Sequence, residues 1–144
     1  MNEREKTEIK RLLKTYRHVV VCSVDDNGFP AAKAMSIIKS EGAHTLWFST
    51  NVSSTRTAQF LKNSKACVYF MDIAAIHGLS LTGEMTVITD DKTKAEFWFE
   101  GAEMYYPQGR TDPDYCIYKF TAEKGRYYHN LESISFTADI NLEV

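Results

Sequence analysis

The chain has 144 residues, the size of one domain. At that length folding buries roughly two-thirds of the unfolded surface, enough for a core without staples. Its 17 basic and 19 acidic residues leave a formal net charge of −2, which argues against a protein that coats nucleic acid through a basic face.

The charged start, Asn2-Glu3-Arg4-Glu5-Lys6, has no apolar signal region, and no apolar run approaches a membrane span. Three cysteines (Cys22, Cys67 and Cys116), each in an apolar strand-like run, and four scattered histidines show neither a disulfide framework nor a metal spacing. The expectation is a cytoplasmic domain with buried thiols, no metal and no membrane partner.

From about Glu3 to Thr15 the apolar residues Ile9, Leu12, Leu13 and Tyr16 recur at helical spacing, with Asn2 and Glu5 placed for a capping box. The period then changes. His18 to Val24 is β-branched and strand-like, and Asp25-Asp26-Asn27-Gly28 turns it into a return strand over about Ala31 to Ile38. Glu41-Gly42 marks the next turn and Thr45 to Ser49 the next strand. A helix is expected from about Ser53 to Leu61, with Ala58, Phe60 and Leu61 inward. Ala66 to Met71 and Gly78 to Ile88 read as strands, the second with Gly83 as a bulge or bend. Asp90 is placed to cap a helix over about Asp91 to Met104 that carries Ala95, Trp98 and Phe99. An irregular loop, Tyr105 to Tyr115, leads to a strand over Cys116 to Phe120, and Glu123-Lys124-Gly125 is expected to turn it back into Arg126 to His129. The tail from Asn130 has no assigned structure. Short turns between most strands imply antiparallel pairing, and a small closed barrel with peripheral helices fits best.

The most informative stretch is Leu46 to Arg56, an apolar strand that stops in hydroxyl residues where a helix opens. Free N–H groups and the positive end of the helix dipole gather there, which suits an anion. Ser53, Ser54 and Thr55 add hydroxyls, and Arg56 adds a planar cationic fork matched to phosphate. The plainer alternative makes Ser53 only an N-cap and Arg56 a solvated charge. Trp98, Tyr105, Tyr106 and Tyr127 could line a pocket, though core packing is the commoner role of such rings. The loop Tyr106-Pro107-Gln108-Gly109 is the more open case, since loops on a rigid barrel often carry function.

In this order, the motifs resemble the pyridoxamine 5′-phosphate oxidase-like family of FMN-binding split barrels, and among them the small general-stress-protein-26 type. The matching residues are Asn27-Gly28-Phe29-Pro30 leading to Lys33-Ala34-Met35, then Leu46 to Thr50 with Ser54 and Arg56, Gly83 with Glu84, and Tyr106 to Gly109 with Asp112 to Tyr115. The resemblance implies one six-stranded antiparallel barrel of Greek-key type over residues 1–144, with an N-terminal helix over 1–16. It implies a homodimer with FMN at the interface. Lys33 would then head the flavin-contacting strand, Ala34 and Met35 would supply backbone contacts near the flavin ring, Ser49 and Thr50 would reach the flavin or ribityl region, and Ser54 and Arg56 would hold the phosphate. Relatives of similar fold bind haem or the deazaflavin F420, and His129 or His77 would be the residues to test as an axial haem ligand. Nothing after His129 supplies the arginines with which the oxidase itself grips its substrate. The expected function is therefore an FMN-dependent oxidoreductase on an unknown small molecule. A non-catalytic flavin binder or redox sensor, and a structural dimer without cofactor, are the alternatives.

Overall fold

The computed structural model describes residues 1–142. Helix α1 (Glu3–Thr15) opens on the expected capping box: Asn2 Oδ1 accepts the Glu5 N–H at 2.8 Å, and the Asn2 N–H donates to Glu5 Oε2 at 2.7 Å. It buries Ile9, Leu12 and Leu13 against the sheet. Strands β1 (His18–Val24) and β2 (Pro30–Glu41) form a hairpin whose turn is held by the Asp25 carboxylate, which accepts the N–H groups of Asn27 and Phe29. Gly28 lies at φ +83, a conformation that favours glycine. Then follow β3 (Thr45–Asn51), α2 (Thr55–Lys62), β4 (Lys65–Asp72), β5 (His77–Ile88), the short helix α3 (Asp91–Glu96), two 3₁₀ turns (Ala102–Met104 and Gly109–Thr111), β6 (Tyr115–His129) and β7 (Glu132–Thr137).

The strands run β3-β2-β1-β4-β5-β6-β7 with every pairing antiparallel, and β6 also pairs with β3. That last pairing closes a six-stranded barrel, to which β7 is an added strand. The protein is thus mainly β, a closed antiparallel barrel of the split-barrel kind. β6 serves two neighbours in succession: Tyr115 to Thr121 lies opposite β3, and Lys124 to His129 lies opposite β7. β5 runs beside both halves, with a bulge at Thr82/Gly83. A side chain on Gly83 would overlap the Thr121 carbonyl oxygen and Ala122 Cα, so this glycine permits a close backbone approach.

Alternation along the strands turns Leu46, Phe48, Val68, Phe70, Leu79, Leu81 and Phe120 inward, where all are buried. A second cluster covers the outer face of β3 and β6, where Trp47, Tyr115 and Ile117 pack beneath Tyr106, Ala102, Phe97 and Trp98.

Several local expectations are corrected. Glu123-Lys124-Gly125 is not a turn; β6 passes straight through it, and the Phe136 ring occupies the space a Gly125 side chain would need. The helix after Asp90 ends at Glu96, and the chain takes φ +87 at Gly101, so Trp98 and Phe99 lie beyond it. In α2 the inward residues are Thr57 and Phe60, whereas Ala58 and Leu61 are exposed, because the helix starts at Thr55 with Ser54 as its cap. The tail from Asn130 contains β7, and its last two residues lie outside the described residues. Of the cysteines only Cys116 is buried; Cys22 and Cys67 are half-buried, and all three are free thiols.

Candidate functional site

A cavity of about 480 Å³ opens between the outer side of β2, the end of β3, the start of α2 and the segment after α3. Ala34, Met35, Ser36 and Ile38 form one wall, and Ser49, Thr50, Asn51 and Arg56 form the polar end. Phe99, Tyr105 and Tyr106 form the opposite wall.

The polar end is built where β3 gives way to α2. The Ser54 N–H returns to the Asn51 carbonyl at 3.2 Å, and the Ser54 hydroxyl accepts the Thr57 N–H at 3.2 Å, which caps the helix. The hydroxyls of Thr57, Tyr118 and Ser54 form one buried network under this corner, and Thr57 Oγ1 donates to the Asn51 carbonyl at 2.7 Å. Burial raises the pKa of the Tyr118 phenol, so it remains a neutral member of that network.

Asp114 grips the same corner from outside. Its carboxylate accepts the Ser53 N–H and Asn51 Nδ2–H, both at 2.8 Å, and the Ser53 hydroxyl at 3.1 Å. The Ser53 N–H, then Asn51, hold this carboxyl below the usual aspartate range. Ser53 is therefore occupied by an internal carboxylate, and the cap is Ser54. The first helical N–H groups, Thr55 and Arg56, have no carbonyl one turn back in a helix that begins at Thr55.

Arg56 is half-buried and lines the cavity. Its Nη2 lies 3.3 Å from Thr50 Oγ1, and its Nε is shielded with no partner among the described residues. A buried N–H without an acceptor costs about 1–3 kcal/mol. The guanidinium thus keeps a free donor beside the first N–H groups of α2.

The aromatic wall is held by a chain of contacts. Tyr106 and Tyr115 lie 4.6 Å apart between ring centroids, and Trp98 meets Tyr115 edge-on at 5.3 Å. The Tyr115 hydroxyl donates to the Lys94 carbonyl at 2.9 Å, and burial pushes its pKa up to about 12. Lys94, itself buried, donates to the Asp112 carbonyl at 2.8 Å. The Asp112 carboxylate accepts the N–H groups of Gln108 and Asp114, both at 3.0 Å, which orders the loop. Tyr106 reaches across to Ser49, hydroxyl to hydroxyl at 3.0 Å.

Of the seven residues singled out from sequence, Ala34, Met35, Ser49, Thr50 and Arg56 are brought together around this cavity. Lys33 is exposed on β2 next to Ala34 but outside the lining, and Ser54 lies behind Arg56 as the helix cap. Ser36 and Ile38 were missed, although strand alternation from Ala34 points to them. Asn51, Phe99 and the corner-holding Asp114 were missed as well. Trp98 packs behind the aromatic wall, and Tyr127 lies in a different pocket with His77, His129 and Glu8. Among the described residues no group of three or more His, Cys, Asp or Glu is placed to hold a metal, and no helix is long and apolar enough to cross a membrane.

The family described as pyridoxamine 5′-phosphate oxidase like matches residues 4–142. The chain belongs to this family. A crystal structure from Clostridium acetobutylicum, a protein related to general stress protein 26 of Bacillus subtilis, is 39% identical with a TM-score of 0.86; the match covers 96% of this chain and 98% of that one. An FMN-binding protein related to pyridoxamine 5′-phosphate oxidase from Nostoc punctiforme shares the fold at 15% identity and a TM-score of 0.60, covering 93% of each chain. A haem-binding protein from Mycobacterium smegmatis shares it at 12% identity and a TM-score of 0.74, covering 96% of this chain and 60% of that one. No curated protein matches the sequence at a significant level. Membership of the oxidase-like family agrees with the closed barrel.

Proposed function

We propose that this family member is an FMN-binding flavoprotein and an FMN-dependent oxidoreductase acting on a small molecule other than pyridoxamine phosphate. The observation that carries the reading is Arg56, a cation at a helix start with an unpartnered buried N–H beside a cavity. A phosphate dianion there would be met by the guanidinium, by the Thr50 hydroxyl beside it and by the first N–H groups of α2. The rest of the cavity fits the remainder of FMN. Ser49 and Asn51 offer polar groups for a polyol chain, and the walls of Ala34, Met35 and Ile38 against Phe99, Tyr105 and Tyr106 suit a flat aromatic ring.

When bound, the flavin supplies the redox chemistry. The chain's own residues hold its phosphate, orient its ring between β2 and the aromatic segment, and keep water from one side. The rim carries exposed apolar side chains, with Met104 80% and Tyr105 64% exposed, which supports a homodimer in which a second copy covers this edge. FMN is preferred to haem because His77 and His129 line a separate pocket with Asn2, Glu5 and Glu132 that shares no residue with this cavity.

The test is the visible spectrum of the purified protein before and after incubation with FMN and gel filtration. About one flavin retained per chain supports the assignment, and bleaching of that band by NAD(P)H followed by reoxidation separates an oxidoreductase from a carrier. A protein that retains no flavin at micromolar concentration refutes it.

A further inference from the structure

Cys22 of β1 and Cys67 of β4 are 45 residues apart in sequence, yet they are direct partners across the antiparallel sheet. Residues opposed in this way have Cα atoms about 4.5–5.5 Å apart, inside the separation of about 4.4–6.8 Å that a disulfide spans. Both side chains lie on the outer face of the barrel, since their strand neighbours Val21, Ser23, Ala66 and Val68 are buried. Both are half-buried, and both line one open cleft of about 320 Å³ with Lys65, Thr82 and Gly83. A small oxidant can therefore reach either sulfur. Cys116 differs: it is fully buried inside the barrel, where burial pushes its thiol up to about 11.

The two sulfurs are not equivalent. Burial, and then the neighbouring Cys67, raise the pKa of Cys22. Cys67 Sγ lies 3.3 Å from the Ser80 hydroxyl, and either can donate. Neither sulfur contributes to the flavin cavity.

We propose that Cys22 and Cys67 are a redox-active thiol pair that closes to an intramolecular disulfide on exposure to a peroxide. The Cys67 thiolate attacks one peroxide oxygen. An S–O bond forms, the O–O bond breaks, and the leaving hydroxide takes a proton to become water. The Cys22 sulfur then attacks the Cys67 sulfenic acid, so that the S–S bond forms, the S–O bond breaks and a second water leaves. Two thiols lose two electrons and two protons, and one peroxide becomes two waters. A dithiol reductant reverses the change by exchange. The bond would staple β1 to β4 on the side opposite β2; Cys22 also faces Ala32 of β2, two residues before Ala34 in the flavin wall. Oxidation therefore acts on the strand beside the proposed cofactor site without consuming any residue in it.

The experiment uses the full-length protein, reduced, freed of reductant and treated with hydrogen peroxide, and its readouts do not depend on flavin. The expected result is a loss of about 2 Da in intact mass, a fall from three to one in the thiols titrated after denaturation, and a Cys22–Cys67 linked peptide. Dithiothreitol should restore the starting mass, and a non-reducing denaturing gel should show a single-chain band. Cys22→Ser and Cys67→Ser, both at half-exposed positions, should each abolish the loss of mass. The proposal is overturned by an unchanged mass in excess peroxide, by oxygen addition without a linked peptide, by linkage through Cys116, or by a covalent dimer.

Discussion

Replacing Arg56 by Met keeps an unbranched apolar stem but removes the guanidinium. The structure predicts opposite effects on the ligand and on the empty protein. Among the described residues Arg56 makes one side-chain hydrogen bond, to Thr50 at 3.3 Å, and its Nε is buried and unpaired. Removing that unpaired donor relieves a penalty of about 1–3 kcal/mol, against about 0.5–1.5 kcal/mol for the long bond to Thr50. The net effect runs from a loss of about 0.5 to a gain of about 2.5 kcal/mol, so the ligand-free variant should melt between about 2 °C lower and about 8 °C higher than the wild type. Binding of FMN should suffer instead. One charge-assisted bond to phosphate contributes about 1.5–3 kcal/mol, so the dissociation constant should rise about 10- to 150-fold. Quenching of flavin fluorescence measures the affinity, and thermal unfolding of the ligand-free protein measures the stability. A variant that binds FMN as the wild type does but melts several degrees lower would refute the reasoning, because Arg56 would then be a structural residue of the corner and not an anion ligand.

Asp114→Asn places an amide where Ser53 and Asn51 both donate, so it should lower the thermal midpoint at pH 7 and loosen FMN binding through the displaced corner. The folded-state pKa of Asp114 is depressed, so its contribution is present above the ordinary aspartate value of about 4 and is lost as pH falls through the folded value. The midpoints of wild type and variant should accordingly converge over that acid interval, and a gap that persists at the acid end would refute the charge-based account. Gly83→Ala drives a Cβ into the Thr121 carbonyl and Ala122 backbone; it should lower the unfolding free energy in urea by about 1–3 kcal/mol, and a neutral result would contradict the close approach. Ser54→Ala removes the α2 cap and should cost about 1 kcal/mol in the same assay, while weakening FMN far less than loss of Arg56.

What could be read from the sequence follows the range of the interactions involved. The capping box of α1, the Asp25-to-Gly28 turn and the strand-to-helix corner at Asn51 rest on residues within about one helical turn of each other, and all were legible. Gly125 was misread because its meaning depends on Phe136, a residue of a strand that had not been assigned. The alternation of Ile134 and Phe136 with Ser133, Ser135 and Thr137 carries that strand, but it pairs only at the barrel's edge. The overlong helix after Asp90 came from following apolar periodicity through Gly101. At the site, five residues from β2, β3 and α2 were identified, whereas Asp114 was not: it reaches Ser53 across 61 residues of chain, and no local pattern marks such a contact.

The two-neighbour strand β6 has a consequence for how the chain is made. Until residues 115–129 leave the ribosome, β3 and β5 are both unpaired sheet edges, with the apolar Leu46, Phe48, Leu79 and Leu81 uncovered between them. Closing the barrel joins Thr45 to Thr121, a long-range pairing of the kind that forms slowly. Nascent chains stalled before Tyr115 should thus be sticky and protease-sensitive, and those that extend past Thr121 should become compact.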